Sequence, residues 1–395
     1  MLLSAQLRTG LPQLLADLAG EPGRDPGQRF ILLTTTAAAL RALRSRRADA
    51  ARARGRHVSD AASLIAVTHA AAISAEADEA EVGAQVAARV VDAVSAALDL
   101  PGEKGLRPAA HEALGLAGEM APDAAVDRLS ALTQDAAAPR RLAGVAALRH
   151  VAVHAGMGWS RVDATSRAAL SLLEDEHLDV RREALRLVAG LATHRPAALD
   201  GPGLLPVCRL VCAACASDEK HHQRVDLGAF VSVEDRAQGC RVAALECLMA
   251  LVDAFGSRLP LSEVIDAYGA GLKVERAVHT NQFEVVALAG QAIVRAAMRH
   301  PRDVLRSLDD GIAPRVLSML MFTAKGESTA QERDLFAEQH GHSVRTAVAL
   351  ANVPGAEASA KLGECLALAR KRADLRPLLK VALGEEDSDE DMAGV

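Results

Sequence analysis

Three thiols and two imidazoles fall close enough together to raise the question of metal chemistry: Cys208, Cys212 and Cys215 stand at i, i+4 and i+7, and His221 and His222 follow. Zinc takes thiolate and imidazole ligands in a tetrahedron, and the paired short spacings of a zinc knuckle are absent from this stretch. A helical stripe of cysteines is also what a buried small-residue face looks like, since free cysteine is among the most buried residue types. The expectation is a packed helix without a metal. Gly201-Pro202-Gly203 opens a helix but has neither the Lys-Ser/Thr nor the preceding strand of a phosphate loop. No Gly-x-Ser-x-Gly, His-Glu-x-x-His or paired-carboxylate site stands out from ordinary solvated helix faces. No catalytic residue, cofactor or metal is expected, so binding is the remaining kind of chemistry.

The elements that would present a binding surface are helical. Half of the 395 residues are hydrophobic but only 2 % are aromatic. Ala, Leu and Val carry the apolar content in a background of Arg, Glu and Asp, a mixture of strong helix formers with small side chains. Runs with the period-two alternation of strands are almost absent. The net charge of −6 argues against a nucleic-acid partner, and the uneven cysteines, all six beyond residue 200, are not a secreted disulfide framework. The first 20 residues lack the order of a signal peptide, and no apolar run reaches the roughly 20 residues that span a bilayer. A cytoplasmic and nuclear protein is expected, with no membrane partner.

Amphipathic segments succeed one another along the whole chain, each ended by Gly or Pro. Their spacing predicts helices near 8–19, 27–47, 59–75, 81–99, 105–121, 123–136, 139–155, 163–174 and 178–194. Further ones follow near 203–216, 236–256, 261–273, 282–299, 303–321, 342–352 and 357–371. The second helix of several pairs repeats a pattern: Arg141-x-x-Gly144-x-x-Ala147-Leu148, Arg181-x-x-Ala184-Leu185 and Arg241-x-x-Ala244-Leu245. Arg141 and Arg181 are 40 residues apart, a helix-pair repeat length; Arg181 and Arg241 are 60 apart, which marks an insertion. In such arrays an Asp/Arg pair at the start of the inner helix ties neighbouring units together. The class is all-α: an armadillo-like, HEAT-repeat α-solenoid.

The insertion is the least helical passage of the chain. Within residues 218–235, Val225, Leu227, Val231 and Val233 alternate with polar residues around Gly228, which suits a turn, so a protruding β-hairpin is predicted. A lone hairpin is marginally stable, so this one must lean on the solenoid or a partner. The organisation read from the sequence is therefore HEAT-type repeats over 1–217, the hairpin over 218–235, further helical repeats over 236–372 and an acidic, disordered tail over 384–395.

The string Leu227-Gly228-Ala229-Phe230, followed by Arg241 and Ala243-Ala244-Leu245-Glu246-Cys247, resembles the TATA-binding-protein-interacting domain of the cullin-associated, neddylation-dissociated proteins. Gly271-Leu272-Lys273, Val304 to Asp309, Gln331-Glu332 and Arg345 to Pro354 resemble later family segments in the same order, and Leu173-Glu174-Asp175 with Val180-Arg181-Arg182 resembles the preceding repeat. The resemblance implies a scaffold that binds the N-terminal region of an unneddylated cullin, competes there with substrate-receptor adaptors and so promotes assembly and receptor exchange of SCF-type ubiquitin ligases. It implies that strands 224–227 and 230–233 make the blocking contact, through Arg224, Val225, Asp226, Leu227, Gly228, Phe230, Val231 and Val233, with Phe230 as apolar anchor. The sequence departs from the family at Ala229, where the family has Pro, and at Val231-Ser232, where it has basic residues. Repeats that the family places ahead of this region would come from a second chain, or the protein would meet only the adaptor end of the cullin. Two other partners fit the same array: the TATA-binding protein, in a transcription-linked scaffold, or the cargo of a general HEAT-repeat adaptor.

Three features stand outside that reading. Arg41, Arg44, Arg46, Arg47, Arg52, Arg54 and Arg56 form one strongly basic stretch, read as a solvated helix end and loop broken by the cap-type Ser59, and as the contact of a general adaptor. Glu385 to Asp391 is an acidic run around Ser388, expected to be disordered by self-repulsion. Trp159, the single tryptophan, sits in the Gly-rich turn Gly156-Met157-Gly158 and is expected to pack between repeats.

Overall fold

Helices follow one another because Ala and Leu recur at helical spacing, and they stop where glycine, proline or an Asx turn interrupts the ladder. The computed structural model describes residues 36–38, 41, 85, 87–95, 107–120, 122–154, 160–226, 231–273, 283–323 and 330–385. The helices expected near 8–19 and 59–75, most of those near 27–47 and 81–99, Trp159, the basic stretch beyond Arg41 and the acidic run beyond Glu385 lie outside the described residues. By their internal contacts the residues fall into two units, Met1–Leu199 and Asp200–Val395.

In the first unit the well-described helices are α1 (Arg107–Met120), α2 (Pro122–Thr133), α3 (Ala138–His154), α4 (Ser160–Ala168), α5 (Leu178–His194) and the short α6 (Pro196–Leu199). The segment expected as a helix over 163–174 is α-helical only to Ala168 and then tightens into a 3-10 turn, Ala169–Glu174. Helix α3 packs against both α1 and α5, giving one row of helices, while α2 and α4 form the other. Between the rows, Leu114, Leu129, Leu148, Leu185, Leu187 and Leu191 are wholly buried. Truncating such a leucine to alanine costs about 2–5 kcal/mol, so these side chains carry much of the unit's stability.

Small residues set how closely the rows approach. A Cβ placed on Gly144 would lie 2.9 Å from Leu132 Cβ and 2.9 Å from the Thr133 backbone nitrogen, so the glycine of the repeated Arg-x-x-Gly pattern is a contact of α3 with the end of α2. Arg141 explains the rest of that pattern. Its guanidinium donates to both carboxylate oxygens of Asp175, at 2.6 and 3.0 Å, and to the Asp135 and Ala136 carbonyls, at 3.0 and 2.7 Å. One repeat is thereby tied to the next. The acid sits six residues before the following arginine, not beside it: Asp179, at the start of α5, pairs instead with Arg182 on its own helix. Asp175 also accepts the His177 backbone N–H at 2.9 Å, in the Asx turn that opens α5, and Asp135 does the same for Ala137 at 2.8 Å ahead of α3.

The second unit continues with α7 (Leu204–Ala214), strands β1 (His222–Asp226) and β2 (Val231–Asp235), then α8 (Gln238–Phe255), α9 (Leu261–Gly271) and α10 (Phe283–Arg299). It closes with α11 (Pro301–Arg306), α12 (Ala313–Met321), α13 (Ala330–Ala351), α14 (Ala360–Lys371) and α15 (Arg376–Leu383). One row runs α8, α10, α13 and α15, and the other runs α7, α9, α12 and α14. Three boundaries differ from the periodicity reading. The helix expected over 303–321 is divided by a π turn, Leu308–Ile312, in which the Ile312 N–H reaches back to the Ser307 carbonyl at 3.0 Å. Helix α13 begins at Ala330 rather than near 342, because its first turns are polar and carry no apolar stripe. Helix α15 was not anticipated; it begins with Pro377 in its first turn and ends at Gly384, whose φ of 71° lets its N–H and that of Glu385 cap the last carbonyls.

Two outcomes are expected. Burial opposes the charge of Asp175, yet the hydrogen bonds from Arg141 and the His177 N–H outweigh it and hold this carboxyl below the usual carboxylate range. A carboxyl with a depressed folded pKa stabilises above its unfolded value of about 4 and loses that contribution as pH falls through the folded pKa. Asp175→Asn should therefore lower the melting temperature at pH 7 and flatten its fall below about pH 4, read by circular dichroism. Gly144→Ala should cost about 1–3 kcal/mol by overpacking, read by urea unfolding, whereas Gly363→Ala, where an added Cβ meets nothing, should not.

Candidate binding site: a clamped hairpin

The insertion is a hairpin, as its alternating residues require. Strands β1 and β2 pair antiparallel with His222 opposite Asp235, Gln223 opposite Glu234, Arg224 opposite Val233, Val225 opposite Ser232 and Asp226 opposite Val231. The ladder therefore runs two residues nearer the base than the expected strands 224–227 and 230–233. Leu227, Gly228, Ala229 and Phe230 lie outside the described residues, so the expected anchor Phe230 and the turn at Gly228 have no described position. Arg224, Val225, Asp226, Val231 and Val233 are in the strands. Period two divides the side chains: Arg224, Asp226 and Val233 share one face with His222 and Asp235, and Val225 shares the other with Gln223 and Glu234.

A two-stranded ribbon needs support, and its base supplies it. Asp235 and Arg241 are both 1 % exposed at their side chains and meet at 3.1 Å. The second Asp235 oxygen accepts the Ala237 N–H at 2.8 Å, which caps α8, and Arg241 Nε donates to the Cys215 carbonyl at 3.2 Å, the end of α7. The His222 ring meets Ser217 Oγ at 3.0 Å, and the Arg236 N–H adds one bond to the His221 carbonyl at 3.1 Å. On the approach, Asp218 accepts the Lys220 N–H at 3.1 Å, and that bond with the Lys220 ammonium holds the Asp218 carboxyl below its usual range. Hairpin, α7 and α8 are thus fixed to one another through one aspartate and one arginine. Beyond the base the ribbon is open: Gln223, Arg224, Asp226 and Glu234 are exposed, while Val225 and Val233 are half-buried.

The thiols beside this clamp belong to the core. Cys208 and Cys215 are wholly buried and Cys212 is partly so. Burial pushes the Cys215 thiol up to about 12, which keeps it protonated and packing as a small apolar group. Among the described residues, no group of three or more His, Cys, Asp or Glu side chains is arranged to hold a metal ion, and no helix is long and apolar enough to cross a membrane. Arg41, the one described member of the basic stretch, pairs with Glu112 at 2.6 Å.

The sequence signal for the clamp was present but incomplete. The arginine repeat was legible; the aspartates that answer it recur six residues before each arginine, at 135, 175 and 235, and Asp235 meets Arg241 of its own repeat while Asp175 meets Arg141 of the preceding one.

Paired helices in two rows within each unit, with a hairpin between α7 and α8 in chain order, define the class as a HEAT-repeat solenoid, and solved structures agree. Kap95p solved with RanGDP superposes with a TM-score of 0.62 at 11 % identity, over 97 % of this chain and 43 % of that one. Kap95 in complex with Nup1 gives 0.61 at 12 % identity, over 96 % and 43 %. These establish the fold alone. The sequence adds a finer likeness: residues 202–368, within the second unit, match the TIP120 family model, described as TATA-binding protein interacting (TIP20). The chain is also 26 % identical over 263 residues, 66 % of its length, to cullin-associated NEDD8-dissociated protein 1 of Arabidopsis thaliana, and spans 21 % of that relative.

The clamp gives a direct expectation. Replacing Asp235 with Ala strands a buried guanidinium, which costs about 3–5 kcal/mol when one partner of a buried pair is lost. Urea unfolding of the full chain should report that loss, together with faster amide exchange at 222–226 and 231–235; Gln223→Ala, at an exposed strand position, should leave both unchanged.

Proposed function

We propose that this chain is a non-enzymatic scaffold that binds the N-terminal region of an unneddylated cullin and competes there with substrate-receptor adaptors, so that SCF-type ligases assemble and exchange their receptors. The observation that carries this reading is the anchored, outward ribbon within a TIP120-type domain: a rigid base, with polar strand residues left to solvent. A cullin-associated relative supports the choice of partner. In this reading Arg224 and Asp226 make polar contacts, Val225, Val231 and Val233 add apolar area, and Leu227, Gly228 and Phe230 form the tip that occupies the adaptor's place. Preorganisation matters energetically, because a contact already ordered by Asp235 and Arg241 loses less entropy on binding than a free loop would. The protein would act in the cytoplasm and nucleus, where its partner is assembled.

A second partner is favoured by the family description itself, which names interaction with the TATA-binding protein. The two readings separate in one experiment. An unmodified cullin N-terminal domain, immobilised, should retain the wild-type chain and release it when adaptor is added. Phe230→Ala combined with Val225→Ala should weaken retention at least tenfold without changing the melting temperature. Equal retention of both chains, or none, refutes the hairpin mechanism, and retention on TATA-binding protein without any on cullin selects the second reading.

A further inference from the structure

A groove of ≈ 440 Å³ opens on the row formed by α8, α10 and α13, and its lining is chemically one-sided. Three carboxylates border it, Glu246 from α8, Glu284 from α10 and Glu338 from α13, all exposed, and no lysine or arginine is among the lining residues. Glu284 accepts one weak hydrogen bond, from the Gln238 amide at 3.4 Å, and Glu338 stands 3.9 Å from His342. His342 does not offset this charge at neutral pH, because burial and then the neighbouring Arg345 hold its pKa below the usual imidazole range.

The walls are apolar. Val242, Leu288 and Phe283 line the groove, and the Phe283 ring is held by an edge-on contact with Phe336, with centroids 5.8 Å apart and planes at 79°. Two glutamines also line the groove: Gln291 is exposed, while Gln339 is 4 % exposed and, among the described residues, no hydrogen bond answers its side-chain amide. That amide leaves a donor and an acceptor in the groove wall open to a ligand.

We propose that this groove takes an arginine side chain from an extended basic segment of a protein partner. The match is group by group. The three-carbon stem lies against Val242 and Leu288; the planar guanidinium meets the Phe283 ring, an arrangement favoured for arginine over lysine. Its five donors serve Glu246, Glu284 or Glu338 at the mouth and the Gln339 amide oxygen in the wall. A nucleic acid is the wrong partner for such a surface, since phosphates would face uncompensated carboxylates. The site is separate from the hairpin, and its occupant is recognised whether or not the hairpin meets a cullin.

Fluorescence anisotropy with a fluorescein-labelled tri-arginine peptide and the full chain tests this. Saturable binding is expected, weakened at least tenfold by Glu246→Gln with Glu338→Gln, and as much by Val242→Trp, which fills the groove without changing charge. Asp266→Asn with Asp310→Asn, an equal charge change on exposed acids outside the groove, should alter the affinity less than twofold, as should Phe230→Ala with Val225→Ala. A tri-lysine peptide should bind at least fivefold more weakly. Wild-type affinity in Val242→Trp, or equal losses in the groove and control charge variants, would overturn the site; equal binding of the two peptides would overturn the assignment to arginine.

Discussion

A guanidinium buried among alanines and leucines has to be answered by a carboxylate, and in this protein the answer comes from the aspartate of the loop that opens a repeat's inner helix. At Asp235 and Arg241 the answer is within one repeat, at 3.1 Å and out of reach of water. At Arg141 it is the aspartate of the following repeat, at 2.6 Å. In each the aspartate's other task is the Asx turn that starts the next helix, at Ala237 and His177, and Asp135 makes the same turn at Ala137. One side chain therefore sets where a helix begins, and its partner sets how neighbouring helices lie. Pairs of this kind are poor sources of net stability, because two charges must leave water, but they are costly to break and hence effective at fixing register. That is what an array of similar Ala-rich helices requires, since apolar packing alone discriminates weakly between one alanine stripe and another.

The hairpin draws on the same device. The inserted residues 218–235 between α7 and α8 would be free to move if only two strands held them, but the insertion ends on Asp235, so the clamp that begins α8 also fixes the root of β2. The repeat architecture thus converts a loop into an oriented projection. The fold supplies rows of helices with little chemistry of their own, and the proposed recognition elements lie in what the rows leave unfilled: the strands at one place and the acidic groove at another. Exposed ties such as Arg209 with Glu263, at 3.1 Å, join repeats more weakly, because water screens both charges.

Much of this was legible in the sequence, and the limits have physical causes. Apolar spacing placed α1 to α5 and α7 to α10 within a few residues, and the alternation of Val225 with Val231 and Val233 foretold strands inside an otherwise helical chain. The cysteine stripe read as core is core. Asp179 was the natural candidate for tying repeats because it stands two residues from Arg181, but a helix directs those side chains apart, while the loop residue Asp175 faces the preceding repeat. The first turns of α13 were missed because Gln331, Glu332, Arg333 and Asp334 give no apolar period; their helix is held by its neighbours rather than by its own pattern. The groove had no linear signal at all. Glu246, Glu284 and Glu338 are separated by whole repeats and become one surface only when α8, α10 and α13 stack.

The central claim is that recognition occurs on a projection whose geometry is set before the partner arrives. Hydrogen exchange of the full chain with and without a saturating cullin N-terminal domain tests this most directly. The account predicts that amides of 222–226 and 231–235 are already protected in the free chain and slow by a further tenfold or more in the complex, while those of α14 are unchanged. Binding that leaves the hairpin amides at their free rates, with new protection confined to other helices, would contradict it.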